Sequence, residues 1–191
     1  MRTWHYLAGG AVLIGAALLW KRHVDELPPD AGLAAPPPTK LSPSEQARLE
    51  QLIPAAQEAL LGLMARLESL GIETFIDSTR RNPTQQAKIV AKGNSATNHS
   101  WHLLGRAVDL IPKLPDGTPD ENGSNLEAFR TMHEEAKLYG FTGLAFNADG
   151  SKRYITTTKD GKQRKVWDGG HLQFTEGMTW AQAASKAGFV A

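Results

Sequence analysis

A carboxylate inside an apolar stretch is the first indication of chemistry in this sequence. In the segment SWHLLGRAVDLIP, Asp109 lies among residues that are typical of a buried strand ending at Pro112. An unpaired carboxylate is costly to bury, so such a residue is normally paired, hydrogen-bonded or bound to a metal. His102 precedes Asp109 across Gly105, and a turn at that glycine followed by a strand would bring the imidazole and the carboxylate to one point.

A second segment, WDGGHLQF, places another histidine on a short strand. His171 and Gln173 share one face of this strand, because side chains alternate along a β-strand. Asp109 shares a face of its own strand with Ala107 for the same reason. Two histidines and one aspartate, His102, Asp109 and His171, would form a three-ligand Zn²⁺ site with water in the fourth position. Such a site has the equipment for hydrolysis.

Asp168 is the candidate general base beside this site. It precedes His171 across two glycines, so it could take a proton from an attacking water and hand it to a leaving amine. Taken singly, each residue has a plainer explanation, since a histidine near an aspartate is more often a hydrogen-bonded structural pair. Three other histidines are most simply interpreted as surface residues: His5, His23 and His133.

Helices that position these residues are indicated by caps and by apolar periodicity. A capping box with proline at the first helical position begins at Ser42. Apolar residues at helical spacing then run from Leu49 to Leu70, with a kink expected at Pro54. Two further helices are predicted, one opening at Asn82 and ending at Gly93, the other opening at Ser124 and ending at Gly140.

Short strands alternate with these helices. A hairpin is predicted around the Asp160-Gly161 turn. The predicted strands are Ile72 to Asp77, Tyr154 to Thr158, Lys165 to Trp167 and His171 to Phe174. Antiparallel strands with helices segregated around them favour the α+β class, with one small antiparallel sheet and flanking helices.

The N-terminus differs in composition from the rest of the chain. From Leu7 to Trp20 it carries no charge, but this run is at or below the lower limit of about 17 residues for a spanning helix. A cleaved signal and an uncleaved anchor compete, and the anchor is favoured because the small-residue site at Ala34 and Ala35 lies well past the apolar run. We expect an anchor over residues 1–27, a Pro/Ala-rich linker over residues 28–40 and a single folded domain over residues 41–191.

Charge and cysteine content exclude several classes of function. The net charge of the 191 residues is +1, which excludes a strongly basic nucleic-acid binder, and no basic patch interleaved with aromatic residues is present. The chain has no cysteine, which removes disulfides, thiolate metal sites and cysteine nucleophiles together.

In combination, the motifs are far more specific than any one of them. The pattern Ser-x-His-x-x-Gly-x-Ala-x-Asp is met from Ser100 to Asp109, and a later Asp-x-x-His is met at Asp168 and His171. With these motifs the chain resembles the zinc D-alanyl-D-alanine carboxypeptidases and the phage L-alanyl-D-glutamate endopeptidases, which cut peptidoglycan stem peptides. The resemblance runs over most of residues 72–174 and implies the hedgehog/DD-peptidase fold.

The resemblance also implies roles for individual residues. His102, Asp109 and His171 match the family's zinc ligands, Asp168 its general base, and Ser100 a motif serine close to the metal and the substrate. The family also has an upstream arginine after a strand, which contacts the substrate carbonyl or stabilises the oxyanion. Arg80 and Arg81 both qualify for this role, with the spacing slightly favouring Arg81.

The sequence therefore predicts a monomeric Zn²⁺-dependent peptidase acting on peptidoglycan stem peptides, with an endopeptidase that cuts L-alanyl-D-glutamate as the favoured form. Two alternatives stay open: a D-alanyl-D-alanine carboxypeptidase, and a zinc-containing peptidoglycan-binding module without activity. The apolar N-terminus resembles the signal-arrest-release segments of phage endolysins. It would tether the domain to the cytoplasmic membrane, facing the periplasm or cell-wall space, or allow its release as a lysis protein.

Overall fold

The computed structural model describes residues 40–189, and the predicted anchor and nearly all of the predicted linker lie outside the described residues. In the described part no helix is long and apolar enough to cross a bilayer. The helices, in chain order, are α1 (Pro43–Leu49), α2 (Pro54–Ser69), α3 (Pro83–Ala91), a 3₁₀-helix (Trp101–Leu104), α4 (Leu126–Leu138) and α5 (Trp180–Lys186).

The first predicted helix is two helices with a break between them. The capping box is present, with the Ser42 backbone N–H donating to the Glu45 carboxylate at 3.0 Å. A continuous helix kinked at Pro54 was the expectation, and this is wrong: α1 ends at Leu49 and Pro54 is the first residue of α2. Proline has no backbone N–H and suits the first helical turn, where that donor has no partner within the helix.

A four-stranded antiparallel sheet carries most of the chemistry-bearing residues. Its strands are β1 (Thr74–Ser78), β2 (Ala107–Pro112), β3 (Phe141–Gly143) and β6 (His171–Phe174). Their order in the sheet is β1-β2-β6-β3, so β2 and β6 lie side by side at the centre. The register pairs Val108 with Leu172 and Phe141 with Phe174.

An irregularity in β1 changes the direction of the chain as it leaves the sheet. Ile76 pairs with Leu110 and Ser78 pairs with Asp109, so Asp77 is an extra residue in β1. A bulge of this kind re-aims the side chains that follow it.

The core lies between the sheet and the helices α2 and α4. Burial of apolar surface contributes about 25 cal/mol per Å², so these side chains supply much of the stability that holds the sheet in register. The larger fully buried apolar side chains are Leu60, Leu63, Leu67, Ile76, Val108, Leu110, Phe129, Met132 and Leu172.

A separate hairpin, formed by β4 (Tyr154–Lys159) and β5 (Lys162–Trp167), confirms the predicted turn. Asp160 and Gly161 both have positive φ, 51° and 73°, as a two-residue type I′ turn requires. The hairpin is attached to the loop after α3, since the Thr157 hydroxyl donates to the Gly93 carbonyl at 2.7 Å.

The α+β prediction is confirmed by this arrangement of short antiparallel strands and segregated helices. Elements missed at the level of sequence are the 3₁₀-helix, β3 and α5. Each is seven residues or shorter, too short to show a clear apolar period.

Candidate active site

The centre of the sheet brings the predicted aspartate and one predicted histidine together. Asp109 on β2 and His171 on β6 are directly opposite each other, and the adjacent pair on the same face is Ala107 with Gln173. Opposite residues of an antiparallel pair project to the same side of the sheet. The strand faces expected from sequence alternation are therefore those that meet in the structure.

His102 reaches the same point from the 3₁₀-helix. Gly105 ends this helix in the left-handed conformation, with φ at 63°. A Cβ at this position would lie 2.8 Å from the Gln51 carbonyl oxygen, so only glycine fits. The chain turns back there and enters β2, which sets the fully buried imidazole of His102 beside Asp109.

Three ligand-type atoms from these residues form a nearly equilateral triangle. His102 Nε2 lies 3.2 Å from Asp109 Oδ1 and 3.3 Å from His171 Nδ1, and His171 Nδ1 lies 3.2 Å from Asp109 Oδ1. The Nδ1 atom of His102 contacts the Thr79 carbonyl oxygen, which can only accept a hydrogen bond. Nδ1 therefore carries the proton in neutral His102, and Nε2 presents a lone pair to the triangle.

The triangle has the dimensions and the donor set of a zinc site. Zn–N and Zn–O bonds of about 2.0–2.1 Å in a tetrahedron place the ligand atoms about 3.3–3.4 Å apart, close to the observed separations. A cation among the three atoms would satisfy lone pairs that otherwise face one another. The backbone carbonyl of Thr79 fixes the ring of His102 as partners outside the ligand set do in metalloproteins. His102, Asp109 and His171 can thus hold a metal ion.

Electrostatics keep Asp109 ionised, as a metal ligand must be. Burial raises the pKa of Asp109, but its contacts with the imidazoles of His102 and His171 more than offset this rise and leave the pKa well below its usual range. Arg81 adds a further partner, with Nη2 donating to Asp109 Oδ2 at 2.5 Å. The carboxylate, of which 14% is exposed, thus has three partners, which explains why it is tolerated inside an apolar strand.

Of the two candidate arginines, the structure brings only Arg81 to this cluster. Its Nε donates to the Ser78 hydroxyl at 3.2 Å and its Nη1 to Gln86 Oε1 at 3.4 Å, which aims the guanidinium at the carboxylate. Arg80 is exposed and lines a different surface depression, together with Asp77. The sequence spacing slightly favoured Arg81, and Arg81 is the arginine that contacts Asp109.

Asp168 lines the same cleft as the triangle and is half-buried. Burial raises its pKa above the usual carboxyl value, with His171 opposing the rise and the negative charge of Asp109 adding to it. The Asp168 side chain has no hydrogen bond or ion pair to any residue in the range 40–189. A free carboxylate of raised pKa is suited to accepting and returning a proton.

Ser100 both caps the 3₁₀-helix and lines the cleft. Its hydroxyl caps the 3₁₀-helix by accepting the His102 backbone N–H at 3.3 Å. It also lines the cavity above the triangle. His99, next to it, stacks on Trp180 at 4.6 Å between ring centroids and is not one of the three residues of the triangle.

A cleft of about 590 Å³ lies over the triangle and has two walls. One wall is the loop before the 3₁₀-helix, and the other is the hairpin side, with Leu144, Arg153 and Ile155. A cavity of this size accommodates a short peptide segment.

The expectation that His133 is a surface residue is wrong. It is buried on the inner face of α4, and its Nε2–H donates to the Gly169 carbonyl at 2.8 Å. Gly143 packs so closely that a Cβ there would lie 1.8 Å from His133 Nδ1. The residue therefore supports the Asp168-to-His171 turn from behind, and its helical spacing from Phe129 and Ala136 could have indicated this inner face.

Replacing His133 with phenylalanine is expected to lower the free energy of unfolding by about 1–3 kcal/mol at neutral pH, because the Gly169 carbonyl loses its buried donor. Burial lowers the pKa of His133 below its ordinary 6.5. The unfolded chain therefore takes up the proton first, and this histidine's contribution to stability is lost as the pH falls below about 6.5. Urea unfolding should show that the difference in free energy of unfolding between wild type and variant is smaller at about pH 5 than at about pH 7.5.

His99→Phe is the matched control, since His99 is exposed and makes no comparable bond to the turn. Equal unfolding free energies for His133→Phe and the wild type at both pH values would contradict the assigned support.

Comparison with known proteins gives one sequence relative and several structural neighbours. The L-alanyl-D-glutamate peptidase of Listeria phage A118 is 33% identical over 95 residues, which are 50% of this chain and 34% of the relative. The chain thus spans about a third of the length of that curated relative. This relative confirms, at the level of sequence, the resemblance to the phage L-alanyl-D-glutamate endopeptidases over half of the chain, although no protein-family model matches it.

Two solved structures are similar over most of the chain. The Serratia marcescens L-Ala D-Glu endopeptidase ChiX has a TM-score of 0.48 and 20% identity, covering 72% of this chain and 90% of its own. The vancomycin-resistance D,D-pentapeptidase VanY in complex with Zn(II) has a TM-score of 0.45 and 15% identity, covering 82% of this chain and 86% of its own.

Proposed function

We propose that this chain is a Zn²⁺-dependent peptidase that hydrolyses peptidoglycan stem peptides. The observation that carries the proposal is the triangle of His102, Asp109 and His171 at tetrahedral spacing, with the free carboxylate of Asp168 in the same cleft. The sequence relative, an L-alanyl-D-glutamate peptidase, supports the choice of substrate.

Each polar group of the cleft has one role in the proposed mechanism. The triangle would hold Zn²⁺, which when bound supplies Lewis-acid polarisation of a carbonyl and activation of water. Arg81 sets a positive charge beside the triangle, where it stabilises the negative charge that develops on the carbonyl oxygen. Asp168 accepts the proton of the attacking water and delivers it to the leaving amine. Ser100 contacts the substrate from the loop wall.

The bond cleaved is proposed to be the one between L-alanine and D-glutamate. The name of the phage relative supports this choice over removal of a terminal D-alanine. Mass spectrometry of muropeptides after digestion of purified peptidoglycan tests it directly. New D-glutamate amino termini would support the proposal, release of D-alanine from otherwise intact stems would identify a carboxypeptidase, and binding without any cleavage would identify a binding module.

We further propose that residues 1–27 tether the domain of residues 41–191 to the cytoplasmic membrane through the linker of residues 28–40, with the catalytic cleft on the wall side. The proposal depends on the uncharged run from Leu7 to Trp20 and on the location of the substrate outside the membrane. The full chain is expected in the membrane fraction of expressing cells, and a variant lacking residues 1–40 in the soluble fraction with its activity kept. A full chain found wholly in the soluble fraction would contradict the tether.

A further inference from the structure

The hairpin wall of the cleft presents one arginine to the substrate space. Arg153 and Ile155 both line the cleft, whereas Lys152 and Tyr154 do not. This alternation follows from extended backbone, in which successive side chains project to opposite sides. The Nζ atom of Lys152 lies 4.1 Å from the centre of the Trp167 ring, on the other side of the segment.

The backbone that carries Arg153 is anchored while its guanidinium is left free. The Arg153 backbone N–H donates to the Ala145 carbonyl at 2.8 Å, and the same carbonyl accepts the indole N–H of Trp167 at 2.8 Å. The side chain is exposed, and its guanidinium has no hydrogen bond or ion pair with any residue that the structure describes. An unpaired, planar guanidinium on an anchored backbone is suited to bind an anionic group of a ligand.

Among the charged residues that line the cleft, Arg153 differs from the others in its pairing. Its acidic groups are Asp109, which is paired with Arg81 and both histidines, and Asp168, the proposed base. Arg153 is the cation of the described cleft lining that has no acidic partner. An anionic group on the substrate could therefore form an ion pair with the Arg153 guanidinium.

We propose that Arg153 is a specificity-determining residue that binds the free carboxylate of the D-glutamate residue next to the scissile bond. The inference rests on the proposed function. Glutamate has two carboxyl groups and the peptide chain uses only one, so the other is present as a carboxylate or is capped as an amide. A guanidinium binds the carboxylate through charge-assisted, often bidentate hydrogen bonds and gains much less from the neutral amide.

Two synthetic stem peptides that differ only in this carboxylate or carboxamide test the inference on the full-length, zinc-loaded chain. The wild type is expected to hydrolyse the acid with a kcat/KM about 10-fold to 100-fold above that of the amide. In Arg153→Gln this ratio should fall towards one, chiefly through a higher KM for the acid, and Arg153→Lys should keep part of it. Lys165→Gln is the matched control, because Lys165 is exposed on the same hairpin and does not line the cleft, and it should keep the wild-type ratio.

The possible outcomes distinguish a failure of the role of Arg153 from a failure of the proposed peptidase function. Equal hydrolysis of acid and amide by the wild type, or an unchanged acid-to-amide ratio in Arg153→Gln, would overturn the role of Arg153 and leave the peptidase intact. Hydrolysis of neither peptide, with zinc bound, would overturn the proposed function and the inference together.

Discussion

Alanine in place of Asp109 is expected to abolish zinc binding and peptide hydrolysis together. The change removes one of the three proposed protein ligands, and loss of a partner outside the ligand set already costs metalloproteins about 10-fold to 100-fold in affinity. The loss on removing the ligand itself should therefore exceed a hundredfold. It also leaves Arg81 without its carboxylate and opens space between β1 and β6, so the domain should unfold more readily.

Zinc content per chain, measured by elemental analysis after dialysis, together with stem-peptide hydrolysis, checks this result. Asp77→Ala is the matched control, since Asp77 is the exposed extra residue of the β1 bulge and is not one of the ligand group. An Asp109→Ala chain that still holds one zinc ion with wild-type affinity would show that the metal site has been assigned wrongly.

Asparagine in place of Asp168 is expected to lower the rate of hydrolysis without lowering zinc binding. Asparagine has nearly the same shape but cannot accept a proton at neutral pH, so hydrolysis should fall by about 10²–10⁴-fold while zinc content stays at the wild-type level. His171→Ala, in contrast, removes a proposed ligand and should lose both zinc and activity.

The comparison requires zinc content and kcat for these variants side by side with Asp160→Asn. That control makes the same chemical change at the hairpin turn, where asparagine also tolerates the observed positive φ of 51°. Undiminished hydrolysis by Asp168→Asn would remove this carboxylate from the mechanism.

The cluster of His102, Asp109 and His171 could be predicted from the sequence because local rules set the direction of each side chain. Alternation along two strands placed Asp109 and His171 on usable faces, and their pairing across β2 and β6 joins those faces. A glycine with φ of 63° made the turn that returns His102 to the strand. A carboxylate in an apolar run indicated that Asp109 must have partners, and the structure supplies them as Arg81, His102 and His171.

Features that depend on long-range packing could not be predicted. The bulge at Asp77 lies just before the two candidate arginines and is not visible in the sequence, where the spacing favoured Arg81 only slightly. His133 has two glutamates after it and was expected on the surface, yet its inner face of α4 packs behind the turn that carries Asp168. The proposed anchor lies outside residues 40–189 and stays a prediction.

Zinc removal and return, followed by stem-peptide hydrolysis, tests the central claim most directly. The full-length chain is freed of metal with a chelator, dialysed, and assayed on purified peptidoglycan before and after addition of one equivalent of Zn²⁺. The proposed site predicts that hydrolysis is lost on removal and returns with about one zinc per chain, and that Asp109→Ala does not recover. Full hydrolysis by the metal-free wild type, or a zinc-loaded wild type that binds peptidoglycan without cutting it, would contradict the claim.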